Sequence, residues 1–458
     1  MPPGILTPPA QEKRNVTGIK PLIDPDAWKQ KNFWQLLNIS VGFLGIQFAW
    51  AIQNGQMGPL LERLGSDPQM LGLINCAGPV TGVLVQPIVG ALSDRCGLPM
   101  GRRRPFLLLG AILTVISLVL MPNVSALWMA AVLLWVLDAS INITQGPYRS
   151  LVPDVVHPSQ QATAYSMMSF TIGLGSVAAF VIAAQFPNLQ GLFYLGAGAM
   201  LLAMLWTSLT TPEQPPVGIQ YSSAEASSGP QDNFLVGTLK SIASMPKEGL
   251  KLCLAHSLTW FGLMCLFTFF SVYVPHHIFG ATDPQSARYA EGVQLVQIGY
   301  AILNGVCFIF SMFIGKLCGL SSKKAVHSLG LLCMAGSFLS MWFIHSPLEI
   351  MIAMGLIGIG WATTLSIPFA LLSDHLPKGK EGVMMGTFNI FIAAPGVVSN
   401  LLVGKLVHDY FNDNVAVALI IGGIAMIAAT LMLQTVKERK TLAAVEPHPH
   451  PEDALLGS

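Results

Sequence analysis

The chain has 458 residues, 52% of them hydrophobic and only 10% charged, with a net charge of +1. Average soluble domains are about 25% charged, so an ordinary soluble enzyme is excluded and a membrane protein is indicated. The seven cysteines show no CxxC or other metal or redox spacing and read as small hydrophobes, and there is neither a phosphate-cradling Walker sequence for ATP-driven pumping nor a nucleic-acid module.

Apolar runs long enough to cross about 30 Å of hydrocarbon as helix lie at 36–60, 70–92, 106–122, 125–147, 162–184, 189–209, 250–274, 289–313, 325–344, 348–372, 382–406 and 415–435. Alternating ten-residue segments of barrel type are absent. The pattern predicts an all-α membrane protein with twelve transmembrane helices in two six-helix bundles, 36–209 and 250–435. A lead (1–35), a linker (210–249) rich in Pro and Ser, and a tail (436–458) flank or join the bundles. The lead has no apolar core of the kind a cleaved signal carries. Of the 24 basic residues only Arg63, Arg288 and Lys405 fall on one side of this arrangement. The other 21 lie opposite, so both termini are expected in the cytoplasm.

In chain order, Trp28–Trp34 suggests a short interfacial helix. The first span carries Gln47, Trp50 and Asn54 on one face, with Gln53 and Gln56 widening the polar arc. Amides bond sugar hydroxyls and an indole stacks on a sugar ring, but buried amides also tie helices together. The second span leads into Asp94-Arg95 and then Arg102-Arg103-Arg104 under the membrane. The fourth span, 125–147, carries Asp138 near mid-bilayer. A carboxylate at that depth costs several kcal/mol unless paired, hydrated or protonated, which marks a functional group, or else one buried against a partner helix. Asn142 and Gln145 share its face. Arg149 and Asp154 follow; with Asp94, Arg95, Arg102, Arg103 and Arg104 they form either a cytoplasmic gate or a satisfied interfacial cluster, outside the central substrate site.

Gly90-x-x-x-Asp94-Arg95 followed by Gly101-Arg102-Arg103-Arg104-Pro105, the run Gly45–Ala51, and Leu137-Asp138 with Asn142 and Gln145–Arg149 together resemble the major facilitator superfamily. Within it they are most similar to the glycoside, pentoside and hexuronide:cation symporter group, closest to the plant sucrose:proton symporters and their animal and bacterial sugar-transporting relatives. The resemblance implies alternating-access symport of a proton with a sugar, a disaccharide such as sucrose or maltose, with Asp138 tied to proton coupling. Together with the compact loops, it suggests a bacterial inner membrane. The fifth span departs from the sucrose carriers in having no basic residue.

The second half offers further polar groups at helical spacing. Gln297 and Asn304 in the eighth span, Trp361 and Thr364 in the tenth and Asn389 in the eleventh are the substrate candidates, with Trp50 or Trp361 against a ring. His256 reads as a titratable or gating residue, and His276-His277 lack a specific metal pattern. No cofactor, metal, catalytic residue or obligate protein partner is expected. The partners are the sugar, the proton and the bilayer. Proton-antiport export of drug-like or lipid-like compounds, and a non-transporting membrane sensor, are the alternatives.

Overall fold

A computed structural model describes residues 30–186, 188–213, 244–375 and 381–438. Most of the lead and linker, and nearly all of the tail, lie outside the described residues, as does Trp28. The helices are α1 (Phe33–Arg63), α2 (Pro68–Asp94), α3 (Arg104–Leu120), α4 (Leu127–Val155), α5 (Gln161–Gln185), α6 (Leu189–Thr210), α7 (Lys247–Tyr273), α8 (Ala287–Leu320), α9 (Lys323–Ser340), α10 (Pro347–Ser373), α11 (Glu381–Phe411) and α12 (Ala416–Gln434). Among the described residues, 11 helices are long and apolar enough to cross a membrane. The one that falls short is α9, because Lys323, Lys324 and His327 occupy its opening turns. It still packs along α10 and α12, so the twelve-helix membrane fold is complete.

Helix starts follow capping chemistry. Asn32 and Ser346 form capping boxes with Gln35 and Glu349, while Asp67 and Ser322 accept from the N–H groups of Met70 and Ala325. The packing repeats with a period of six helices. α1 lies against α5 and α6, α2 and α3 against α4, and α3 against α6. Likewise α7 lies against α11 and α12, α8 and α9 against α10, and α9 against α12. The two sets meet chiefly along α5–α8, α2–α11 and α1–α7.

At Val41 the α1 helix is interrupted, and carbonyls freed inside a membrane must find other donors. Tyr148 Oη on α4 donates to the Ile39 carbonyl (2.7 Å), Thr171 Oγ1 to that of Ser40 (3.2 Å), and the Gly42 N–H donates to Thr207 Oγ1 (2.9 Å). Phe43 stacks on the Tyr148 ring at 4.4 Å. A side chain at 42 would press on that ring, since a Cβ there would lie 2.8 Å from Tyr148 Oη. Tyr148→Phe keeps the stack but orphans a carbonyl, and thermal unfolding of the purified protein should show a loss of about 1–2 kcal/mol. An unchanged transition would contradict this role.

Candidate functional site

A cavity of about 980 Å³ lies between the halves, at the upper end of the roughly 300–1,000 Å³ usual for small-molecule sites. One wall comes from α1, α2 and α4 and is rich in amides: Gln53, Asn54, Asn75, Gln86, Asn142 and Gln145, with Trp50 beside them. The facing wall is more apolar, with Trp260, Met264, Phe267 and Phe369, relieved by Thr268, Thr364, Asn389 and Asn400. The lining runs down to Pro87 and Arg149, toward the end that carries the arginine loop, and both side chains there are exposed.

The other end is shut. Glu62, closing α1, accepts from Tyr289 Oη and lies 2.9 Å from His276 Nε2, both in the second half, while Arg63 Nε donates to the Pro284 carbonyl (3.0 Å). Small residues let the halves close tightly below this seal. A Cβ on Gly404 would lie 2.5 Å from the Pro68 carbonyl oxygen, and one on Gly58 3.0 Å from Val272. The molecule is therefore open to the arginine-loop face and closed at the Glu62 face.

Asp138 is 0% exposed. Gln53 Nε2 donates to its Oδ1 at 2.8 Å, while Asp138 Oδ2 and Gln53 Oε1 are buried without partners among the described residues. Gly78 on α2 passes close by, so that a Cβ there would sit 3.7 Å from Oδ2. Gln53 both lines the cavity and touches Asp138, which makes it the bridge between the carboxyl group and the cavity. Asn142 is held on all sides: its Nδ2 donates to Thr81 Oγ1 (3.0 Å) and the Asp138 carbonyl (2.9 Å), and its Oδ1 accepts from Gln86 Nε2 (2.6 Å).

The sequence candidates divide. Trp50, Asn54, Asn142, Gln145, Thr364 and Asn389 line the cavity. Four do not. Gln47 Oε1 accepts from Ser176 Oγ (2.8 Å) and ties α1 to α5; Asn304 Nδ2 donates back to the Tyr300 carbonyl (2.9 Å). Trp361 stands behind the wall, edge-on to Trp260 (5.8 Å) and Phe267 (5.7 Å), and Gln297 is buried against Gly55 at the α1–α8 contact. Each of these helices is enclosed by protein on more than one side, so a polar face can turn to a neighbour as readily as to the cavity.

Of the group expected under the membrane, Arg149 is a correction. It lines the cavity and makes no ion pair among the described residues. Asp154 instead pairs with Arg102 and with Arg103 Nε (2.8 Å), and Arg103 pairs with Asp94 (2.5 Å) and bonds Ser93. Burial pulls the Arg102 guanidinium down and the Asp154 carboxylate pushes it up, with a net upward shift, so it is a permanent cation. The Glu213 carboxylate accepts from the backbone N–H groups of Arg102, Arg103 and Arg104, and Arg104 also donates to the Met100 carbonyl. Arg95 is exposed on the same loop. These contacts of the network join the first half to the start of the linker, so they clip helix ends. The second half repeats it: Lys323 Nζ bonds Asp374 (2.7 Å), and Glu438 accepts from the N–H groups of Lys323 and Lys324.

Comparison with known proteins agrees with this architecture. Residues 39–400 match the pattern of the Major Facilitator Superfamily. The chain is 26% identical to Sucrose transport protein SUC4 of Arabidopsis thaliana, across 95% of this chain and 96% of that protein. It is 24% identical to the General alpha-glucoside permease of Schizosaccharomyces pombe, across 86% and 92%. Among solved structures, nucleoside transporter NupG superposes with a TM-score of 0.69 at 13% identity, covering 88% of this chain and 99% of that one. Peptide transporter POT in complex with sulfate also gives 0.69 at 15% identity, covering 90% and 98%; at such identities the likeness is one of fold.

Proposed function

The chain belongs to the Major Facilitator Superfamily, a class of multi-pass membrane carriers of small molecules, and on that premise we propose that it is a proton-coupled symporter of an uncharged sugar, a disaccharide such as sucrose or maltose. The supporting observation is the Asp138–Gln53 pair at the edge of an amide-lined cavity. A dry anion with one oxygen unpartnered is costly, and a proton on Oδ2 removes that charge. Sugar hydroxyls that bond Gln53 and Asn54 alter the same amide that holds Oδ1, so sugar occupancy and protonation are linked through one side chain. Linkage of this kind makes each ligand favour the binding of the other. Arg149 makes no ion pair among the described residues, and its five donors suit vicinal hydroxyls. Trp50 or Trp260 supplies a face for a sugar ring.

Alternating access then consists of rocking the two six-helix sets about this cavity. Asp138 loads a proton with the sugar at one face and releases it at the other. The sequence relatives support the sugar class, since those named above are a sucrose transport protein and an alpha-glucoside permease. The bias of basic residues supports cytoplasmic termini, and on that reading the present state is the inward-open one.

The test is uptake of sucrose and of maltose into sealed proteoliposomes under imposed proton or sodium gradients. Accumulation driven by a proton gradient alone is expected, whereas uptake that ignores protons and follows sodium would reject the coupling ion. The apolar wall of Trp260, Met264, Phe267 and Phe369 is what an exporter of drug-like compounds would use. Outward flux of an apolar cation against a proton gradient, with neither sugar moved, would select that reading.

A further inference from the structure

The amide of Gln297 is the anomaly of the closed seam. It is 0% exposed, and neither its Nε2 nor its Oε1 has a partner among the described residues. Its neighbours on α8 are satisfied: Gln294 donates to the Ala184 carbonyl (2.9 Å) and Asn304 to that of Tyr300 (2.9 Å). On α1, Gln47 is likewise bonded and Gln53 donates to Asp138, so of these amides Gln297 alone has both ends idle among the described residues. A buried donor and acceptor left idle carry their full desolvation cost, so this state alone gives no reason for a glutamine where leucine would fit.

The location supplies the reason. Gln297 lies directly against Gly55, whose missing side chain makes room for its amide; Gly55 follows Asn54 of the cavity wall and precedes Gly58, which packs on Ser271 of α7. Beyond it stands the Glu62–His276–Tyr289 seal that joins the halves. When the Glu62 face opens, α1 must part from α7 and α8, and this contact parts with it. The amide then looks into the same cavity from the second half, next to Asn54.

We propose that Gln297 is a state-selective binding residue, idle while the Glu62 face is closed and bonded to the polar hydroxyls of the substrate when that face is open. The carrier then offers its substrate one more amide on the Glu62 side than on the arginine-loop side. This rests on the sugar reading above for the identity of the ligand, but not for the opening of the seam.

Two measurements separate the parts. In protein whose natural cysteines have been replaced, Gln297→Cys should react with a membrane-impermeant maleimide applied from the Glu62 face, and faster when Glu62→Gln loosens the seal. No labelling from that face in either background would overturn the proposal, whatever the substrate. In oriented proteoliposomes, Gln297→Leu should raise the half-saturating concentration of sucrose or maltose about tenfold from the Glu62 face, the cost of one lost hydrogen bond, and leave the other face unchanged. Its thermal transition in the closed state should be unchanged or higher. Equal effects at both faces, or a lowered transition, would also overturn it. If the wild-type chain moves neither sugar, the sugar reading fails, while the labelling result still decides whether the amide joins the cavity.

Discussion

Asp138→Asn is expected to abolish proton-driven accumulation while leaving downhill sugar exchange in place. The carboxamide is nearly isosteric, its oxygen still accepts the bond from Gln53 Nε2 seen at 2.8 Å, and it has no site for a transported proton. A gradient of one pH unit is worth ~1.4 kcal/mol, so a one-to-one symporter accumulates sugar about tenfold. The variant should equilibrate its sugar and go no further. The carboxamide brings no charge into a buried site where Asp138 Oδ2 has no partner among the described residues, so the variant should fold about as stably as the parent. That combination, intact fold and lost accumulation, is what separates a coupling group from a packing group.

The second large effect is expected at Arg149. Replacing it by leucine removes the cationic donors among the amides of the cavity wall, and charge-assisted bonds of this kind contribute about 1.5–3 kcal/mol. Uptake efficiency should fall roughly 10- to 100-fold, read as kcat/KM for sucrose or maltose. Arg149→Lys keeps the charge but loses the planar fork and should recover only part of it. Because the side chain has no ion-pair partner among the described residues, neither change should lower the thermal transition appreciably. Uptake by Arg149→Leu at the parental rate would remove this residue from the site.

The sequence marks Asp138 and Arg149 by different signals. Asp138 stands out from hydropathy alone, since a carboxyl group in the middle of an apolar span is rare and costly. Arg149 sits where an apolar span ends, and charge at a helix end reads as interfacial. Yet positions 138, 142, 145 and 149 are spaced four, three and four apart, about three turns of one helical face, and following that stripe past the end of the span leads to the cavity. The apolar run stops near 147, whereas α4 runs on to Val155 through Pro147 and Pro153.

The twelve-helix layout was readable because lipid imposes length and apolarity on every crossing, and even the weakly apolar α9 fell in the predicted register. The facing of polar residues was less so. Gln47 and Asn304 are polar at helical spacing, like Asn54 and Asn389, but they bond Ser176 and the Tyr300 carbonyl. No spacing rule says which of several buried faces of a helix meets water. Gln53 only widens the first span's polar arc by its spacing, yet it is the contact with Asp138; the crossing of α1 over α4 decides that. Tyr148, part of the motif around Arg149, serves the break in α1 and not the cavity.

Coupled transport requires a proton to travel with the sugar by way of Asp138. The most direct measurement is internal pH, reported by a trapped dye in proteoliposomes, when sucrose or maltose is added outside. The parent protein should acidify the lumen in step with sugar uptake, and Asp138→Asn should take up sugar to equilibrium with no pH change. Acidification by the variant at the parental rate would contradict the account.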